Sequence, residues 1–150
     1  MRYSQVIAPA RSEVVEGDAP IPGPGEALVR VHACGVCASE LHPWQDGVGS
    51  YPHQFGHEPV GVVEAIGPGV TNVAVGQRVT GLFAKAFATE ALALAMELLP
   101  VPEAVSNESA MGEPLACLVN AARRTRVELA DSVAMVGLGF MGLGMLQLIR

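Results

Sequence analysis

His57 and Glu58 place an imidazole beside a carboxylate in Gly56-His57-Glu58-Pro59-Val60-Gly61-Val62-Val63. Both groups are good zinc ligands. Upstream, Cys34-Gly35-Val36-Cys37 supplies two thiols, and Ser39, Glu40 and His42 follow at once. Three chemistries fit this set. A Cys-x-x-Cys pair can be a redox disulfide, but that motif opens a helix in a thioredoxin-like βαβ unit, and no such context precedes Cys34. A zinc knuckle needs a second ligand pair, whereas the remaining cysteine, Cys117, stands alone. The third reading joins the two clusters. A Cys37 thiolate, a His57 imidazole and a carboxylate make three protein ligands, leaving the fourth zinc position open for water or substrate. His57 by itself would be only a histidine on a turn before a strand.

These residues need elements to hold them. Val62, Val63 and Ile66 have the β-branched character of a strand, closed by the turn Gly67-Pro68-Gly69. Residues 3 to 15 read as a strand pair broken at Ala8-Pro9-Ala10. Pro20, Pro22 and Pro24 exclude regular ladder pairing through the connector that follows. Ala27, Val29, Val31 and Ala33 alternate as a half-buried strand from Glu26 to Ala33, which runs straight into the cysteines. Gly76-Gln77 turns into another short strand ending near Thr80. Ala84 to Leu99 is rich in Ala and Leu and reads as helix by propensity alone. Ser106 can cap a short helix through Met111, and a longer one begins near Pro114, where proline suits the first turn. On it, Cys117 reads as core, and Arg123, Arg124 and Arg126 read as a solvated end.

A third cluster closes the sequence. Asp131 to Val136 reads as a β-branched strand entering Gly137-Leu138-Gly139-Phe140-Met141-Gly142, and Met145, Leu146 and Ile149 continue with helical spacing. Strand, glycines and helix together are the context a dinucleotide fingerprint requires. Gly137, Gly139 and Gly142 would let backbone amides at the helix start approach a pyrophosphate. The side chain that selects NAD or NADP, expected roughly 20 residues further on, has no counterpart before Arg150. One strand and one helix cannot make a parallel sheet.

Composition narrows the classes. Half of the 150 residues are hydrophobic, enough for a real core, so disorder is excluded. The net charge of −6, with no block of Lys or Arg, gives nucleic acid no electrostatic footprint. Seventeen glycines and eleven prolines favour a β-rich or mixed fold over a helical bundle. Three cysteines cannot complete a disulfide framework, which suggests reduced thiols in a cytoplasmic setting. The segment Met1 to Ala10 lacks the apolar stretch of a signal peptide. The uncharged run Ser132 to Ile149 is shorter than the roughly 20 apolar residues of a membrane span.

Gly56, His57, Glu58, Gly61, Gly67 and Val70, with Gly35-Val36-Cys37-Ala38-Ser39-Glu40-Leu41-His42, resemble the signatures of the zinc-dependent medium-chain alcohol dehydrogenases. The resemblance spans essentially the whole chain and rests on four motifs in order. It implies a mixed α/β fold. Residues 1 to about 120 would form a partly open, chaperonin-10 (GroES)-like β-barrel, the catalytic domain. Residues 121–150 would be the first strand and helix of an incomplete Rossmann domain. Cys37 matches the first catalytic-zinc cysteine, leaving Cys34 as a packing residue. Ser39 matches the hydroxyl that contacts the substrate oxygen, His42 the outer end of a proton relay, and Glu40 the acid that orients the zinc-bound histidine, usually Asp. Trp44 sits either as a packed loop anchor or where some members line the substrate pocket. Glu113 matches the third ligand in the glutamate form of the polyol- and threonine-dehydrogenase-like branches, so Glu58 and Glu113 are both candidate carboxylates. The resemblance turns Phe87-Ala88-Thr89-Glu90 into a strand against its propensity, and the stretch from Thr80 to Phe87 lacks the four cysteines of a structural-zinc lobe.

The implied function is oxidation of a small alcohol or polyol by NAD or NADP with one catalytic zinc, with neither nucleic acid nor membrane as partner. The rival in another class is a zinc-binding half-protein without turnover of its own. A zinc-free reductase of the same superfamily would lack Cys37, His57 and Glu58. Apolar surface on the 133–149 segment favours pairing with another chain, so a homo-oligomer is compatible with this reading.

Overall fold

The computed structural model describes residues 1–150, which divide into two compact units, Met1–Gly112 and Glu113–Arg150. In the first, β1 (Arg2–Ala8) and β2 (Arg11–Glu16) form an antiparallel hairpin turning at Pro9-Ala10, as the sequence predicts. Then come β3 (Glu26–Gly35), α1 (Ala38–Asp46), β4 (Glu58–Ile66), β5 (Arg78–Gly81), β6 (Glu90–Leu94) and β7 (Leu98–Pro100). Five of these strands make one antiparallel sheet in the order β6-β3-β4-β5-β7. The two edge strands are joined only by a single 3-10 turn, Ala95–Glu97. A sheet whose opposite edges lie so close along the chain must curl into a nearly closed barrel.

Small side chains fill this curl. Ala27 and Val29 of β3, Val63 of β4, Val79 of β5 and Ala91 and Ala93 of β6 belong to one buried cluster with Phe83 and Leu98. The β3–β4 pairing shifts register between Leu28 and Val29 and again between Val31 and Ala33. Such irregularities bend a strand and strengthen its twist. Burial also explains why Ala84–Leu99 is not a helix. Its alternating alanines fit against β3, and that tertiary fit overrides propensity. The strand begins only at Glu90; upstream, Ala88 makes a single bridge to Tyr3.

Two sequence expectations change in the first unit. Trp44 stands on α1 rather than on a loop, in a helix that carries Pro43 internally and stops at Gly47, whose φ is +107°. Ser106 precedes only a 3-10 turn, Asn107–Ser109, and its hydroxyl donates to Ser109 Oγ instead of capping a backbone N–H.

The second unit holds α2 (Gly112–Arg124, whose first residue closes the first unit) and α3 (Phe140–Ile149). Pro114 lies in the first turn of α2, and Arg123 and Arg124 are exposed at its end. Cys117, expected in the core, is exposed; its thiol donates to Glu113 Oε1 one turn back, at 3.3 Å. The expected strand Asp131–Val136 does not form. A β-strand needs a neighbour to take its N–H and C=O groups, and no strand lies in this unit. The side chains of Asp131–Val136 are therefore exposed except for half-buried Met135, and Val136 is 100% exposed. Apart from Pro114, only Leu118 is buried on the helices. No helix is long and apolar enough to cross a membrane.

Candidate metal centre

Antiparallel pairing brings the two predicted clusters together. The last residue of β3, Gly35, pairs with the first of β4, Glu58. The chain leaves β3 and reaches Cys37, the extended N-cap of α1, while His57 immediately precedes β4. Cys37, His57 and Glu58 each offer one ligand atom, all within 4.8 Å of one another. The start of β4 is pinned as well, since the buried Thr80 hydroxyl donates to the Pro59 carbonyl at 2.8 Å.

Glu40 joins α1 to the loop before β4. Its Oε1 accepts from the Gly56 N–H and meets His57 Nδ1, each at 2.8 Å. With Nδ1 engaged by a carboxylate, Nε2 is the ring nitrogen left for a metal. Gly56 must be glycine for two reasons. Its φ is +103°, and a Cβ would overlap the Phe87 and Ala86 backbone. Glu40 is 7% exposed, and its Oε2 is buried without a partner. A buried carboxylate with an unpaired oxygen is costly unless positive charge stands nearby. A cation on His57 would supply that charge, and thiolate, imidazole and carboxylate form a zinc-type donor set. The residues present therefore fit the metal.

The remaining predicted residues sort by position. The Ser39 hydroxyl donates to Cys37 Sγ at 3.2 Å, so it borders the cluster. His42 is exposed, one turn along α1 from Ser39. Trp44 Nε1 donates to Ser12 Oγ at 3.0 Å, and the ring walls a cavity of about 280 Å³ with Val6, Leu41, Phe55 and Phe87. Glu113 belongs to the second unit, on the first turn of α2. Gly35 lay outside the sequence-predicted set. Its signal is the β3–β4 register, which places it opposite Glu58.

Cys34 is not part of the cluster. It packs against the barrel core, and burial pushes its thiol up to about 11. A hydrogen bond with the Glu58 backbone partly opposes this, while the charges of Glu40 and Glu58 add to it. Iodoacetamide at pH 8 should therefore alkylate Cys34 in the folded chain roughly 100-fold more slowly than in the urea-denatured chain. The folded-state rate should climb as pH approaches 11. Equal rates, read by peptide mass spectrometry, would contradict the burial argument. The folded state keeps a proton that the unfolded thiol loses from about pH 9, so this group's contribution to stability falls between pH 9 and about 11.

In the second unit, Gly137 has φ +90°, and a Cβ on Gly142 would overlap the Gly137 carbonyl. Gly139, the N-cap of α3, makes no side-chain cap and faces open space. The first N–H groups of that helix are thus available to an anion.

Residues 23–102 match the family described as the alcohol dehydrogenase GroES-like domain. The starvation-sensing protein RspB of Escherichia coli K12 is 28% identical across all of this chain, which covers 53% of that relative. Sorbitol dehydrogenase of Gallus gallus is 45% identical over 65 residues, 40% of this chain and 18% of the relative. The alcohol dehydrogenase TADH from Thermus sp. ATN1 superposes with a TM-score of 0.85 at 26% identity, over 99% of this chain and 54% of that structure. The chain thus spans about half the length of RspB and of TADH, and matches their N-terminal part.

Proposed function

This chain belongs to the zinc-dependent medium-chain alcohol dehydrogenase family, through its GroES-like domain, and from that premise we propose that it serves the oxidation of an alcohol or polyol by NAD or NADP. The observation that carries the reading is the convergence of Cys37, His57 and Glu58 within 4.8 Å. These three residues would hold the metal, with Glu40 fixing the His57 ring so that Nε2 faces it. Bound zinc supplies Lewis acidity that lowers the pKa of an alcohol hydroxyl.

The chain's own groups do the rest. Ser39 Oγ lies at 3.2 Å from Cys37 Sγ, and a hydroxyl can accept a substrate proton while donating its own onward. His42, at i+3 on α1, is its neighbour on the helix surface and is exposed, so the proton has a way to solvent. Trp44 and the apolar wall beside it would hold the carbon skeleton of the substrate. Gly137, Gly139 and Gly142 would seat a pyrophosphate, the part of a nicotinamide dinucleotide that a glycine turn recognises. A thiolate ligand requires a reduced Cys37, which suits the cytoplasm.

One zinc per chain is the expected stoichiometry, because the structure holds a single candidate group of metal-binding side chains. Elemental analysis of the purified, dialysed protein reads it directly. Two equivalents, or none after zinc loading, would refute the reading.

A further inference from the structure

Gly35 faces Glu58 across the last rung of the β3–β4 ladder, and a Cβ built there would overlap Glu58 Oε2. The same Cβ would lie 3.1 Å from Glu58 Cβ and 3.1 Å from Met111 Sδ. We propose that Gly35 is a positioning residue for the metal centre: the space left by its missing side chain is where the Glu58 carboxylate rests to complete the cluster with Cys37 and His57. The inference rests on the metal-site reading given above.

Its logic differs from that of Gly56. There the obstructing atoms are backbone and φ is positive, so a side chain would strain the fold itself. Gly35 has no positive φ, and its nearest obstruction is the far end of a flexible side chain. A methyl group at Gly35 is therefore accommodated chiefly by moving the carboxylate, with Glu58 Cβ and Met111 Sδ giving way by a few tenths of an ångström. The fold survives and the donor set loses its oxygen.

Cobalt(II) is the probe, read through its thiolate charge-transfer and ligand-field absorption on the full chain. Gly35→Ala should keep the unsubstituted protein's circular dichroism, keep the thiolate band, and weaken cobalt binding roughly ten- to a hundred-fold. Glu58→Gln should weaken it similarly. Gly35→Ala added to Glu58→Gln should cost little more, because both changes act through one carboxylate. Unchanged cobalt affinity in Gly35→Ala, or full additivity in the double variant, would overturn the proposal. If Gly35→Ala fails to fold, recovery of the fold in Gly35→Ala/Glu58→Ala supports the clash with Glu58, and failure to recover overturns it. A thiolate band missing from the unsubstituted protein would instead defeat the metal site, a distinct outcome.

Discussion

A Cys37→Ala/His57→Ala double variant is expected to lose stoichiometric zinc altogether. Structural zinc sites bind with roughly 10–16 kcal/mol over four ligands, so removing two ligands should weaken affinity by roughly a thousandfold or more. Neither side chain belongs to the buried cluster of the barrel. Losing the imidazole takes one partner from Glu40 Oε1, which keeps the Gly56 N–H. The destabilisation should therefore stay near 1–3 kcal/mol, the usual cost of a lost buried hydrogen bond. Metal content after dialysis and a thermal melt of the same sample separate the two effects. Stoichiometric zinc retained by a folded double variant would remove Cys37 and His57 from the site.

Much of the fold was legible because its signals are local. The β1–β2 hairpin, β3 and β5 announce themselves through alternation and turn residues, and Pro114 marks the start of α2. The cluster was legible for a different reason. Donor chemistry suggested joining Cys37 to His57, and the resemblance strengthened it, since nothing local to either cluster spans the 19 residues between them. The β3–β4 register is what brings them together. Where the sequence reading failed, a missing or unforeseen neighbour was the cause. Asp131–Val136 has strand composition but no strand to pair with. Cys117 has an apolar setting in sequence, yet α2 turns that face outward. Propensity alone misreads Ala84–Leu99 as helix; the strand implied by the resemblance does form, over Glu90–Leu94, where β3 supplies its partner. Trp44, expected on a loop, stands on α1, where Pro43 as the sixth residue of a nine-residue helix removes only one N–H from the ladder.

Residues 1–150 loaded with zinc should not oxidise alcohols at a measurable rate. Hydride transfer needs the nicotinamide ring held against the reacting carbon, and such positioning is worth roughly 7–11 kcal/mol of barrier. In doubly wound folds the dinucleotide is gripped outside the carboxyl ends of several parallel strands. The second unit has no strand at all, because the segment before Gly137 finds no partner. Gly137, Gly139 and Gly142 shape one phosphate turn at the start of α3, which can take an anion but cannot orient a ring at the far end of the cofactor. The same deficit leaves Val136, Leu138 and Phe140 at least half exposed, an apolar surface that favours association at high concentration. The check is a panel of alcohols and polyols with NAD and with NADP, followed by nicotinamide absorbance, on protein shown to be zinc-loaded and monodisperse. Micromolar cofactor binding with turnover would mean that the phosphate turn and the metal centre suffice, and that the parallel sheet is dispensable for positioning.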